Sequence, residues 1–264
     1  MIVKCANSDQ HFIEEYIGNR YPECLYLYLD LKQYGVDSQY TSCWALKNNE
    51  NIEAVILLYH TAMHLFSASG NFNVNEILEF VAVHKPSIIC ASKKTIEKIS
   101  CVLTHSGYIV EFGHIGKLSK IEKKSNFIPL KAELEDIDDI ARLLYQDDDI
   151  GASYSFDDLK TQIKERLEEK FVRSYVIKDD GQVVCHVGTG AEIPSVCTIA
   201  YGITDMRYRG KGLFSSLLAF ACEELTNERK EIFSVYYPEN SRILHHKIGF
   251  VDYCECGKLF KNID

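Results

Sequence analysis

The chain has 264 residues, of which 46 % are hydrophobic and 25 % are charged, a composition that is ordinary for a soluble globular protein. Its net charge of −9 lies mostly in the C-terminal half, and an acidic surface repels nucleic acid backbones and favours amine-bearing ligands. The longest apolar run, 54–66, is interrupted by two histidines and is too short to span a bilayer. Neither a nucleic acid nor a membrane partner is expected.

The length suits two domains of about 130 residues each. Ten cysteines are scattered through the chain, and no apolar signal sequence follows Met1. Free thiols in a reducing cytoplasm are therefore expected, and no metal site is predicted.

The first half of the chain predicts an alternation of helices and strands. Apolar residues at helical steps predict two short helices within 5–35. The elements expected after them are strands at 40–46, 52–59 and 63–68, a helix at 74–82, a strand at 87–91, a helix at 93–105 and strand material at 108–118. The polar stretch 119–126, SKIEKKSN, predicts a linker.

The second half predicts the same order of elements. They are helices at 133–144 and 156–171, strands at 174–177, 182–189 and 196–204, a helix after Gly212, a strand at 232–236, a helix at 239–247 and a final pair of strands within 250–260. Two short sequence matches, 44–49 with 175–180 and 107–118 with 249–259, also occur in the same order. We therefore predict an internal duplication.

A basic turn with two glycines joins the strand at 196–204 to the helix that follows. The turn is RYRGKG from Arg207 to Gly212, and apolar residues recur at helical steps from Leu213 onward. Glycines at a helix start let the backbone approach a ligand, and the unpaired first-turn N–H groups with the positive dipole end form a phosphate site. On the glycine spacing alone, a solvated basic turn without a ligand is the alternative.

Arg207, Gly210 and Gly212 resemble the acyl-CoA binding motif of the GNAT superfamily of N-acyltransferases, which is Gln or Arg, two residues, Gly, one residue, then Gly or Ala. The resemblance implies that the turn amides hold the CoA pyrophosphate and that the preceding strand pairs with the pantetheine arm. The residues it assigns to CoA are Gly202, Ile203, Thr204, Arg207, Tyr208, Arg209, Gly210, Lys211, Gly212, Leu213, Ser215 and Asn240. The turn is neither a Walker loop nor a Rossmann fingerprint.

The segment 238–250 resembles the second motif of the same family, which closes with Lys-x-Gly-Phe, here KIGF at 247–250. Two positions depart from it. Pro238 stands where Asn is common, although Asn240 lies two residues on. His245 stands where the family often has a Tyr that protonates the departing thiolate.

Acyl transfer from a thioester to an amine needs a base, because a free amine is mostly protonated at pH 7, and an acid for the departing thiolate. We predict Glu192 as the base, with His186 and Tyr201 as alternatives. The candidate acids are His245, Tyr236 and Tyr237. The acidic run 147–149 is a candidate contact for the amine, or an ordinary acidic helix end.

The first half lacks the basic turn. At the corresponding place, 67–73, it has SASGNFN, with one glycine and no cation, so we expect no CoA binding there. The resulting prediction is a fold of the α/β class, of the α+β mixed-sheet type. It has a degenerate GNAT-like domain at 1–122 and a GNAT acyltransferase domain at 127–264, each a mixed, mostly antiparallel sheet flanked by helices.

The predicted function is the transfer of an acetyl group from acetyl-CoA to a primary amine in the cytoplasm. The acceptor, whether a small molecule or a peptide, and the oligomeric state are left open. A non-catalytic acyl-CoA sensor or interaction module is the alternative, motivated by the departures at Pro238 and His245. A nucleotide-binding domain with a similar phosphate loop is a third hypothesis.

Overall fold

The structure is a computed structural model, which describes residues 1–122, 127, 129–147, 151, 155–169 and 172–261. The chain divides into two compact units. The first unit holds Met1–Ile115 together with the C-terminal strand from Tyr253, and the second holds Gly116–Asp252. The predicted limits, 1–122 and 127–264, differ from this division mainly at that C-terminal strand. Residues 123–126 of the predicted linker lie outside the described residues.

Helices and strands are interspersed along the described chain. The described α-helices are α1 (Gln10–Ile17), α2 (Leu25–Tyr34), α3 (Val74–His84), α4 (Lys93–Leu103), α5 (Ile137–Tyr145), α6 (Phe156–Glu169), α7 (Leu213–Asn227) and α8 (Glu239–Ile248). The described strands are β1 (Ile2–Lys4), β2 (Thr41–Asn48), β3 (Asn51–Tyr59), β4 (Ala62–Phe66), β5 (Ile88–Ser92), β6 (Ile109–Leu118), β7 (Leu130–Lys131), β8 (Ser174–Asp179), β9 (Gln182–Glu192), β10 (Val196–Thr204), β11 (Glu231–Tyr236) and β12 (Phe250–Phe260).

In the first unit the strands lie in the order β1-β2-β3-β4-β5-β12-β6. The strands β4 and β5 pair in parallel, whereas β1 to β4 form antiparallel neighbours and β12 runs antiparallel to β5. Successive side chains of a strand point to opposite faces. One face of the sheet therefore packs on α1 and α2, and the other packs on α3 and α4.

The second unit repeats this plan with the strand order β11-β10-β9-β8-β7. The strands β8, β9 and β10 are antiparallel neighbours, and β10 pairs in parallel with β11. The helix α7 covers one face of this sheet with Leu217, Ala221 and Leu225, and α5 and α6 cover the other face. Helices thus cover both faces of the sheet, and the candidate site lies at the end of β10.

The mixed α/β fold predicted from the sequence is confirmed, but the final pair of strands is wrong. The segment 250–260 is a single strand, β12. Gly257, the residue most suggestive of a turn, lies within the strand, and a Cβ built on it would meet Phe112 and Ile96 at 3.0–3.1 Å. It serves close packing rather than chain reversal. No helix in the described part of the chain is long and apolar enough to cross a bilayer.

Gly249→Ala is expected to destabilise the second unit by about 3 kcal/mol or more. Gly249 ends α8 with φ +118°, and a Cβ there would overlap the carbonyl oxygen of Lys120. Gly181→Ala is the matched control, because Gly181 has φ +80° with nothing within 4 Å of its Cβ position. The control should cost about 1 kcal/mol. Urea unfolding of both variants measures the difference, and equal losses would contradict the steric argument.

Candidate functional site

The basic turn leaves the start of α7 open. Gly210 and Gly212 have φ of +79° and +78°, and Gly212 is the N-cap of α7, where it provides no side-chain cap. The N–H of Ser216 donates to the carbonyl of Gly212 at 3.1 Å. The N–H groups of the first turn before Ser216 have no helical acceptor, and with the helix dipole they form a site for an anion.

The turn carries three cationic side chains, and each of them contacts a nearby group. The guanidinium of Arg207 makes two hydrogen bonds to the carboxylate of Asp205, at 3.1 and 2.8 Å, and these hold the pKa of Asp205 at about 2. Arg209 donates to the carbonyl of Thr204 at 3.2 Å. The ammonium of Lys211 lies 4.4 Å from the ring centroid of Tyr208. Arg207 and Arg209 are exposed, so their side chains can turn towards a phosphate.

The strand before the turn is bulged and separates from its parallel neighbour. In the antiparallel register with β9, Ala200 pairs with Gly188 and Ile203 pairs with His186, so β10 has an irregularity between these pairs. The parallel register with β11 ends at Ile199 and Ser234, although β10 continues to Thr204. The end of β10 is thus available on its β11 side for hydrogen bonds to an extended ligand.

The two residues within the bulge face opposite sides of the sheet. A Cβ on Gly202 would overlap the ring of Phe214 in the first turn of α7. Tyr201, which has φ +55°, packs on the α5 and α6 side and lines a small pocket there. The bulge therefore lies between the basic turn on one face and the small pocket on the other.

Glu192, the predicted base, lies in an ion-pair cluster. It pairs with Cys197 near the start of β10, well before the bulge. Its carboxylate contacts the guanidinium of Arg173 at 2.7 Å and the ammonium of Lys230 at 3.2 Å, and only 12 % of its side chain is exposed. This geometry favours a structural role for Glu192.

Glu192→Gln is expected to lower the free energy of unfolding by about 1–3 kcal/mol, because it leaves the ammonium of Lys230, only 7 % exposed, without one of its carboxylate partners. Any acyltransferase turnover should stay within about threefold of the parent protein. Glu228→Gln is the matched control, since Glu228 also binds Arg173 but is 45 % exposed, and it should cost less than about 1 kcal/mol. A large loss of turnover in Glu192→Gln at unchanged stability would restore Glu192 as the base.

His245, a predicted acid, is buried and neutral. Its Nδ1 lies 2.8 Å from the carbonyl of Ser241, which can only accept, so Nδ1 carries the proton. Its Nε2 then accepts from the hydroxyl of Ser234 at 3.0 Å. Burial lowers the pKa of His245 to about 4. In this state the ring has no proton at Nε2 to give to a thiolate.

The two tyrosines at the end of β11 differ in their surroundings. Tyr236 is buried, and its hydroxyl donates to Asp252 at 2.6 Å. Although burial alone would raise the pKa of Asp252, hydrogen bonds from Arg242, Tyr236 and His246 hold it well below its ordinary value. Tyr237 follows the strand and is half-buried, and it stays a predicted donor.

The other predicted CoA residues are spread over α7 and α8. Leu213 and Ser215 are buried in the first turn of α7, so they contribute backbone N–H groups rather than exposed side chains. Asn240 is exposed in the first turn of α8, where its Oδ1 accepts from the N–H of Ser241 at 2.7 Å. Of the acidic run 147–149, residues 148 and 149 lie outside the described residues.

Sequence reasoning missed most of the pocket beneath Tyr201. His186 was an alternative base, and the structure places its ring in the pocket wall. Ser174 and Arg166 were not predicted, although both line the pocket as well. The alternation of β8 and the helical period of α6 place each of them on the face shared with Tyr201, and this was the available signal.

No family model matches the sequence, and no curated protein matches it. Solved structures match over the whole chain. A GCN5-related N-acetyltransferase-like protein from Streptococcus suis 89/1591 is 13 % identical with a TM-score of 0.63, and the match covers 97 % of this chain and 99 % of that one. An acetyltransferase of the GNAT family from Colwellia psychrerythraea is 10 % identical with a TM-score of 0.60 and full coverage of both chains.

A tandem GNAT protein from the clavulanic acid biosynthesis pathway is 11 % identical with a TM-score of 0.57, and the match covers 98 % of this chain and 97 % of that one. At these identities the likeness is one of fold. The resemblance inferred from the Arg207–Gly212 turn is thereby confirmed at the level of the fold. The chain has the GNAT fold over its full length, as a tandem GNAT protein does.

Proposed function

We propose that this protein is an acetyl-CoA-dependent N-acetyltransferase whose second unit transfers the acetyl group directly to a primary amine. The observation that supports the proposal is that an uncapped helix start and an unpaired strand end lie next to each other. The first turn of α7 lacks a side-chain cap, and β10 runs past its last registered pair with β11 directly before that turn. An extended ligand with a phosphate at one end fits both.

The chain's own groups then have distinct roles. The first-turn N–H groups and the cations Arg207, Arg209 and Lys211 bind the pyrophosphate. Gly202, Ile203 and Thr204 offer the strand edge to the pantetheine arm. Arg209 donates to the carbonyl of Thr204, so this carbonyl already accepts a hydrogen bond from outside the sheet. Arg209 would give up that bond to a pantetheine amide.

The first unit is proposed to be a degenerate GNAT-like domain that does not bind CoA. Its helix α3 starts with Asn73, whose Oδ1 accepts from the N–H of Asn75 at 3.1 Å. A side-chain cap therefore occupies the place where α7 has the bare Gly212. Lys98 donates to the carbonyl of Gly70 in the same loop, which is a structural contact rather than an anion site.

We also propose that the protein is cytoplasmic. All ten cysteines are free thiols, which supports a reducing compartment. Acetyl-CoA is its expected co-substrate.

The test is thermal unfolding with and without excess acetyl-CoA, with ATP as the control ligand, followed by CoA release with a panel of amines. A ligand at about a hundred times its Kd adds about 2.7 kcal/mol to the free energy of unfolding and moves the midpoint by a few degrees. A shift with acetyl-CoA together with amine-dependent CoA release is the expected result. No shift with acetyl-CoA would contradict the proposal, and an equal shift with ATP would favour a nucleotide site.

A non-catalytic acyl-CoA sensor is the second candidate, and a specific observation favours it. Glu192 is held between two cations, and His245 is neutral with both ring nitrogens engaged. Two of the three predicted catalytic residues are thus fixed in structural contacts. A sensor would bind acetyl-CoA without consuming it, so CoA release above the rate of uncatalysed hydrolysis separates the two functions.

A further inference from the structure

The ring of Phe214, in the first turn of α7, lies directly against the free end of β10. The side chain is half-buried, and a Cβ built on Gly202 would meet the ring carbon Cε2 at 2.3 Å. Cβ atoms essentially never come this close to another heavy atom. The φ of Gly202 lies outside the left-handed region, so its backbone does not require glycine. Position 202 must therefore be glycine because the Phe214 ring packs on it.

The same ring also packs on α8. The rings of Phe214 and His245 lie edge to face, with their centroids 6.1 Å apart. The His245 ring is fixed, because its Nε2 accepts from the hydroxyl of Ser234 at 3.0 Å. Ser234 in turn is the β11 member of the last parallel pair with β10, opposite Ile199. The two rings thus span from β10 to the β11 side just beyond the point where the strands separate.

This pair of rings crosses the path of the proposed ligand. The proposed function assigns Gly202, Ile203 and Thr204 to the pantetheine arm. An extended chain that pairs with this edge lies beside Gly202, on the side that faces β11. The Phe214 ring already fills the space between Gly202 and His245. Because packed groups cannot share a volume, the arm and the ring in this position exclude each other.

The start of α7 leaves the Phe214 side chain free to rotate. Inside a helix one of the three staggered χ1 positions clashes with the preceding turn. Phe214 is the second residue of α7, so no helical turn precedes it. Gly210 and Gly212 in the loop before it have no side chains, and nothing lies within 4 Å of the Cβ position at Gly210. A change of χ1 can therefore carry the ring off Gly202 while the backbone stays in place.

Resting on the proposed function, we propose that Phe214 is a gate that regulates access to the acyl-CoA site. With the ring on Gly202 the strand edge is closed to the pantetheine arm, and with the ring turned away it is open. Acyl-CoA binds the open form, so its apparent Kd is raised in proportion to the closed population. The N–H groups of the first turn of α7 are accessible in both forms. A ligand with a pyrophosphate and no arm is therefore insensitive to the gate.

The first experiment is isothermal titration calorimetry of the full chain with acetyl-CoA and with ADP, which has the pyrophosphate without the arm. Phe214→Ala should lower the Kd for acetyl-CoA about tenfold and leave the Kd for ADP within about twofold. Phe220→Ala is the matched control. Phe220 is half-buried on the same helix, but its ring packs on Tyr175 at a centroid distance of 5.6 Å. This control should change neither value.

A second experiment tests the closed position without any ligand. The methyl group of Gly202→Ala needs the place of the ring, so this substitution should force the gate open. A tenfold closed population corresponds to about 1.4 kcal/mol, and Gly202→Ala should lower the melting midpoint of the second unit by about 4 °C. In the Phe214→Ala background the same substitution should change the midpoint by less than about 1 °C. Equal shifts in the two backgrounds would show that the ring does not rest on the strand.

The outcomes separate the gate from the proposed function. A wild-type protein that binds acetyl-CoA, with no tighter binding by folded Phe214→Ala or with an equal gain for ADP, overturns the gate alone. If neither protein binds acetyl-CoA, the proposed function and the gate both fail. Binding by Phe214→Ala but not by the wild-type protein supports the gate and contradicts acetyl transfer by the wild-type chain. Should Phe214→Ala fail to fold, Phe214→Leu replaces it, with an expected decrease in Kd of about threefold.

Discussion

Gly210→Glu is expected to abolish acetyl-CoA binding while the second unit stays folded. Gly210 has φ +79°, and nothing lies within 4 Å of the position its Cβ would take. A side chain added there extends into the space in front of the turn, where the pyrophosphate must approach. The new carboxylate also opposes the phosphates in a site built from N–H groups and cations. We expect Kd to increase by at least about 100-fold.

Gly210→Glu should lower the free energy of unfolding only slightly, and a control variant can reproduce that loss. A non-glycine residue at positive φ costs about 1 kcal/mol, and no clash adds to it here. Gly107→Glu, in the turn after α4, has φ +83° and equally open surroundings, so it imposes the same backbone strain and the same charge in the first unit. Isothermal titration calorimetry of the two variants isolates the effect of position. Wild-type affinity in a folded Gly210→Glu protein would remove the basis for the CoA site.

The turn was predictable because its chemistry is local. Glycine is the residue that adopts positive φ without strain, and Gly210, Gly212 and Gly249 all do so in the structure. The strand and helix around the turn follow from periodicity, since β10 is a β-branched and aromatic run and α7 carries a helical apolar stripe. Local pattern therefore predicted the mixed α/β fold class and the basic turn, and the resemblance to the GNAT motif marked that turn as the candidate CoA site.

The candidate catalytic residues were less predictable because their state depends on distant parts of the chain. Glu192 is held by Arg173 and Lys230, which lie in other elements, and no sequence spacing indicates that these three meet. His245 lies on α8, yet its ring faces Ser234 on β11 and is buried. The bulge at Tyr201 is a matter of register between β9 and β10, and register requires knowledge of both strands.

The second large effect expected is a loss of stability of the second unit between pH 6.5 and pH 4. His186 and His245 are buried, and burial lowers the pKa of each from 6.5 to about 4. In the unfolded chain both protonate as the pH falls through about 6.5, whereas in the folded chain they stay neutral until about pH 4. The unfolded state therefore binds more protons in this window, and the free energy of unfolding falls as the pH falls.

The expected loss of unfolding free energy between pH 6.5 and pH 4 is large enough to identify its cause. A lowering of about 2.5 pKa units corresponds to about 3 kcal/mol for each histidine, so the two together approach about 6 kcal/mol, a large share of the stability of a typical domain. Asp205 and Asp252, whose pKa values are lowered, act in the same direction but at lower pH, because their unfolded pKa lies near 3.8. The loss that begins at pH 6.5 thus belongs to the histidines.

Urea unfolding at a series of pH values measures this loss, and His245→Gln tests its origin. Burial also lowers the pKa of His64 in the first unit to about 4, so removing one of three such groups should reduce the slope for the full chain between pH 6.5 and 4 by about a third. The variant is less stable at pH 7 as well, because Ser234 loses its acceptor. His11→Gln is the matched control, since His11 is exposed in the first unit and should not change the slope for the second unit. A free energy of unfolding that stays constant from pH 7 to pH 4.5 would show that these rings are not held neutral by burial.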